Sequence, residues 1–155
     1  MPTTKTTTPQ DLGWLLQRIG QRLQAATDVV AVEHGLAGGL RDYVLLTLLA
    51  QRTPRTQVEL GRSAGVDKTT LMAALDRLEA DGLVERTLDP DNRRVRIPVA
   101  TAKGLKIQAS VTAARRAAEE VPGMSAADLR SLRKLLAQLD EACEAAGMTS
   151  SGSCV

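Results

Sequence analysis

Between Asn92 and Lys106 the chain carries Arg93, Arg94, Arg96, Lys103 and Lys106 and no acid. Just before them stand Asp89, Pro90, Asp91 and Asn92, residue types that close tight turns. After the turn the sequence alternates, with Val95, Ile97 and Val99 expected on one face of a strand and Arg94, Arg96 and Pro98 on the other. A two-stranded ribbon tipped with arginines is ill suited to acid–base chemistry. It suits a narrow groove of negative potential. On charge alone the run reads as a solvated basic face; the hairpin context turns the reading toward binding.

Other reactive chemistry is sparse. There is one histidine, no Cys–His pair, no P-loop and no GxSxG motif. Asp89 and Asp91 are close, but their arginine neighbours suggest ion pairing rather than acid–base work. Cys143 and Cys154 form neither a disulfide framework nor a metal site. Cys143 shares a stripe with Leu136 and Leu139 and reads as a buried apolar contact. No metal and no cofactor is expected, and an enzyme is the weakest reading.

The elements that must position the basic run are helical. The 155 residues include only Trp14 and Tyr43 as aromatics, so the core is aliphatic. Net charge is +2. No apolar run approaches the roughly 20 residues of a membrane span, and MPTTKTTTPQ lacks a signal core; a cytoplasmic protein without membrane contact is the expectation. Pro9, Gln10 and Asp11 open a long helix that Gly35 ends. A second helix, about Leu40 to Gln51, is apolar on most faces and therefore central. Thr53 and Pro54 interrupt. Gln57 to Ala64 is a short helix, Gly65 a turn, and Lys68 to Ala80 a third amphipathic helix capped by Asp67. Its buried stripe is Leu71, Leu75 and Leu78. Its outer face carries Thr69, Thr70, Met72, Ala73, Asp76 and Arg77. Thr101 caps a helix to about Glu120, Pro122 and Gly123 break it, and Ser125 opens a last helix to about Ala146 with Leu129, Leu132, Leu136 and Leu139 aligned.

Helix, glycine turn, helix and arginine-tipped hairpin compose a winged helix-turn-helix. The second helix of such a unit fits a major groove and the wing the neighbouring minor groove. Thr69 and Thr70 stand where that helix first meets DNA. Arg77, two turns on, reaches phosphate or an acid on its own helix. Lys68 and Arg62 are either phosphate contacts or solvated side chains. Arg86 either pairs with a nearby acid or supports the wing.

The segment DKTTLMAALDRLEADGLVERTLDPDNRRVRIPVATAKG resembles the DNA-binding lobe of the multiple antibiotic resistance regulators, the MarR family. The residues that carry the resemblance are Asp67, Lys68, Thr70, Asp76, Arg77, Leu78 and Glu79, then Gly82 to Arg86, then Asp89 to Asp91, Arg93, Arg94, Thr101 and Gly104. The resemblance implies a mainly α fold with a small β-hairpin wing. Residues 38–100 would form the winged lobe, 9–36 and 101–147 a helical dimerisation layer, and 1–8 and 148–155 flexible tails. It implies a homodimer on a near-palindromic stretch of double-stranded DNA, most often as a repressor released by ligand. It also implies that Asp91 pairs with Arg93 and aims it at the minor groove.

The chain departs from the family where bases are read. Where Val-Thr-Arg commonly follows the shared threonine, it has Leu71, Met72 and Ala73, so two polar side chains are missing. Met72 and Ala73 can still touch thymine methyls; otherwise affinity rests on Arg77, the wing and phosphate contacts. A winged-helix module that binds protein instead of DNA is the alternative this substitution raises. The family's ligand crevice, for small aromatic or phenolic effectors, is expected near Trp14, Arg18, His34 and Tyr43. Each of these also has a core, interface or helix-end reading. Trp14 and Arg18 lie one turn apart and permit a cation–π stack. No cysteine lies near the N-terminus, so thiol sensing is not expected.

Overall fold

The computed structural model describes residues 11–51, 53, 56–117, 121 and 123–148. Among them are α1 (Leu12–Glu33), α2 (Gly39–Ala50), α3 (Gln57–Ala64), α4 (Lys68–Ala80), β1 (Val84–Leu88), β2 (Arg96–Ala100), α5 (Ala102–Ala117) and α6 (Ala126–Ala145). The expected starting residues Pro9 and Gln10, the breaks at Pro54 and Pro122, Glu120, and the tails apart from Met148 lie outside the described residues.

Side-chain caps decide where the helices begin. Asp11 accepts the Trp14 N–H at the start of α1. Thr56 and Glu59 form a reciprocal capping box on α3, and Ser125 and Asp128 form another on α6. Asp67 caps α4. Gly65, at φ 65°, takes the left-handed turn that ends α3 and lets α4 leave at an angle.

The core is built around α2, which packs on α1, α3, α4, α5 and β2. Leu45, Leu46 and Leu49 of α2 meet Leu60, Leu71, Leu75 and Leu78. The cluster continues to Ala31 and Leu36 on one side and to Leu83, Val84 and Val111 on the other. The strands pair antiparallel, from Val84 opposite Ala100 to Leu88 opposite Arg96. Thr101 closes the base of the ribbon: its N–H donates to Leu83 O, its hydroxyl donates to Gly82 O, and the same oxygen accepts the Gly104 N–H. Gly104 lies against the Leu83 carbonyl, where a Cβ would strike backbone.

Two expectations are corrected, on the faces of β2 and on Cys143. Pro98 is buried and Val99 is exposed, because β2 is covered by α2 and α5 rather than along one alternating face. The stripe of α6, which the resemblance puts in a dimerisation layer, is open within this chain: no residue of the helix is buried, and Leu132 and Leu136 are each 40% exposed. Cys143, on the same helix, is accordingly half-buried rather than enclosed.

Candidate nucleic-acid interface

The start of α4 presents Lys68, Thr69 and Ala73 to solvent, with Thr70 and Met72 half-buried beside them. Asp67 shapes this end twice over. It accepts the Thr70 N–H at 2.9 Å and the Thr70 hydroxyl at 2.6 Å. These bonds hold its carboxyl below the usual carboxylate range, the Thr70 hydroxyl contributing most. The Thr70 proton is thus committed to the cap, and its oxygen faces any partner as an acceptor.

Arg77 does not stand free on the outer face, nor does it pair within its own helix. Its Nε and Nη2 donate to Asp42 of α2 at 3.1 and 2.5 Å. Asp42 is 1% exposed and Arg77 34%. That hydrogen bond is the chief reason the guanidinium pKa is raised. The acid expected on its own helix is therefore found on α2 instead, where a buried carboxylate without a cation would be far costlier than an exposed arginine. Its partner lies 35 positions away and was missed. The readable signal was one acid inside the apolar run GLRDYVLLTLL.

Arg86 resolves in favour of its acids. It donates to Asp76 and Glu79 and so ties β1 to the exposed side of α4. The Asp76 bond is the main cause of its raised pKa. At the tip, Asp89 Oδ1 accepts the Asp91 N–H at 2.9 Å and Asn92 Oδ1 accepts the Arg94 N–H at 3.2 Å. Among the described residues no ion pair joins Asp91 to Arg93, which corrects the pairing implied by the resemblance. The turn is already closed through Asp89 and Asn92, and an exposed ion pair is worth too little to order two water-facing side chains. Arg93, Arg94 and Arg96 are all exposed. Lys103 instead donates to the Asp81 carbonyl at the end of α4, at 2.8 Å.

The four expected effector residues do not converge. The Arg18 guanidinium lies 5.0 Å from the Trp14 ring centroid, so the cation–π stack forms. His34 closes the other end of α1, roughly 30 Å away by helical rise. Its Nδ1 is 3.1 Å from Ser110 Oγ, and Tyr43 OH is 3.0 Å from Thr112 Oγ1. Arg115 covers the Tyr43 ring at 4.9 Å. Burial raises the Tyr43 pKa, but hydrogen bonds from Thr112 and Arg115 outweigh it and the net shift is downward. A cleft of about 300 Å³ between α1 and the start of α2 is lined by Asp28, Val32, Gly38 and Arg41 among others, and by none of the four.

A sequence model of the MarR family matches residues 40–95, which span α2 to the wing tip. A MarR-family transcriptional regulator from Rhodococcus sp. RHA1, solved by crystallography, is 30% identical, covers 84% of this chain and 96% of its own, and superposes with a TM-score of 0.69. This chain belongs to the MarR family. The family's members are DNA-binding transcription regulators, not enzymes. CouR from Rhodococcus jostii RHA1, solved with p-coumaroyl-CoA bound, is 29% identical over 84% of this chain and 92% of its own, with a TM-score of 0.70. The transcriptional repressor NicR of Pseudomonas putida is 29% identical over 89% of this chain and 87% of its own length. For this MarR-family protein the winged helix-turn-helix is therefore a shared architecture, and no described helix is long and apolar enough to cross a membrane.

Proposed function

We propose that this protein is a cytoplasmic, homodimeric repressor that binds a near-palindromic operator and leaves it when a small aromatic or phenolic acid binds. α4 enters the major groove through Lys68, Thr69, Thr70, Met72 and Ala73. The wing reaches the minor groove through Arg93 and Arg94, with Asp91 beside them. The observation that carries the reading is the arginine-tipped ribbon anchored to α4 by Arg86, so that groove helix and wing move as one unit. Exposed apolar side chains on α1 (Leu12, Leu15, Ile19, Leu23) and on α6 (Leu132, Leu135, Leu136) support the dimer. The Trp14–Arg18 stack supports an effector with an aromatic ring, and CouR is bound to p-coumaroyl-CoA, whose acyl group is aromatic. Two lobes held at one spacing fit successive major grooves, and an effector that favours another spacing lowers DNA affinity by that difference alone.

A gel-shift titration against the DNA upstream of its own gene tests the proposal. Salt-sensitive binding, relieved by an aromatic acid, is the expected result. Absence of binding to every upstream fragment would overturn it.

A further inference from the structure

Asp42 is the acid inside an otherwise apolar helix face, and both of its oxygens are engaged. Oδ2 accepts the Gly38 N–H at 2.8 Å and Arg77 Nε–H at 3.1 Å, while Oδ1 accepts Arg77 Nη2–H at 2.5 Å. Gly38 completes the cradle, for a Cβ there would collide with Arg77 Nη2 and Asp42 Oδ1. Backbone, carboxylate and guanidinium therefore pack directly against one another at this corner.

Arg77 lies two helical turns beyond Thr70, on the same stripe of α4. The other contacts between α4 and the core are leucine and alanine packing (Leu71, Ala74, Leu75, Leu78). The hydrophobic attraction behind such packing has no directional preference of its own. A two-point fork between guanidinium and carboxylate fixes direction as well as distance. An ion pair on a buried carboxylate is also a poor stabiliser beside a well-packed apolar pair, which leaves specifying an arrangement as a role it can fill. We propose that Asp42 is a positioning residue for base recognition: through Arg77 it sets the rotation of α4, and hence the angle at which Thr69, Thr70, Met72 and Ala73 meet base edges. This rests on α4 being the reading helix.

The test enriches a randomised duplex pool on the intact protein, comparing wild type with Asp42→Asn and Arg77→Lys. Asparagine keeps the shape and loses the charge; lysine keeps the charge and loses the fork. Both variants are expected to lose selectivity at the major-groove positions by at least about tenfold, the effect of one misplaced base contact. Affinity for an unrelated duplex and the slope of log K against log salt are expected to stay unchanged, since no phosphate contact is removed. The double variant Asp42→Leu with Arg77→Met is expected to regain the melting temperature without regaining selectivity, which packing alone would not produce. It also carries the test if Asp42→Asn does not fold.

Unchanged selectivity in a folded variant overturns the proposal. So does tighter binding with a steeper salt slope in Asp42→Asn, which would make Arg77 a phosphate contact held back by Asp42. If the wild type itself enriches no sequence, the reading of α4 fails and this inference with it. If the wild type is selective and the variants equally so, only the inference fails.

Discussion

Helices α4 and α6 carry leucines at similar helical spacing, and each begins on a side-chain cap. In α4, Leu71, Leu75 and Leu78 are almost fully enclosed by α2 and α3. In α6, Leu132 and Leu136 stay 40% exposed and Leu135 61%. An apolar stripe states only that a helix needs a partner, not where the partner is. For α4 the partner lies within the chain, next to it in sequence, across a single glycine turn. For α6 the stripe is left open together with that of α1, and in the proposed dimer a second copy presenting the same two stripes would close both at once.

Breaking the α6 side of this contrast gives the largest expected effect. Leu132→Asp with Leu136→Asp places uncompensated charges in the face proposed to be shared, and affinity between copies should fall on the order of a thousandfold or more. Sedimentation velocity would show a folded single chain. A dimer that survives would mean that the stripe faces something else. On the α4 side, Leu75→Ala opens a cavity among Leu45, Leu46 and Leu60 and should cost about 2–5 kcal/mol in chemical denaturation. Leu135→Ala, its counterpart at the most exposed leucine of α6, should cost under about 0.5 kcal/mol in the single chain, as surface substitutions do.

The third comparison concerns the wing. Arg93→Ala removes an exposed cation with no ion-pair partner among the described residues, so DNA affinity should fall roughly ten- to a hundredfold with stability unchanged. Arg86→Ala removes both ties to α4 and should lower affinity and stability together, read by anisotropy and thermal melting in parallel.

The smallest effect is on the caps. Asp67 of α4 and Asp128 of α6 both have pKa values below the ordinary 3.8, each chiefly through a hydroxyl hydrogen bond from Thr70 and Ser125 respectively. A depressed carboxylate pKa contributes stability that is complete above the unfolded value and is lost as pH falls through the folded one. Acid melts of Asp67→Asn and Asp128→Asn should therefore differ most from wild type above pH 3.8 and converge with it only as pH falls through the lower folded value. A difference that persists at the acid end would show that the caps act through something other than charge.

What could be read beforehand follows the same division between local and distant partners. The bounds of α3 and α4 were legible because Thr56, Gly65 and Asp67 act on residues within one turn. The Trp14–Arg18 stack was legible for the same reason. Asp42 with Arg77 was not, since only the fold brings α2 and α4 together. The open stripe of α6 was suggested only by the family resemblance, which puts residues 101–147 in a dimerisation layer, since its periodicity is the same whether the face is covered by this chain or by another. Asp91 was misread in the opposite way: two charges two positions apart do not pair when the turn between them is closed by Asp89 and Asn92.

The most direct measurement is an anisotropy titration of the intact protein on a duplex enriched from the randomised pool, repeated across a salt series. Saturation at two chains per duplex, with log K falling linearly in log salt and the slope shallower by about one per dimer arm in Arg93→Ala, is the expected result. Saturation at one chain per duplex, or binding indifferent to salt and to Arg93, would contradict a dimer reading DNA through α4 and the wing.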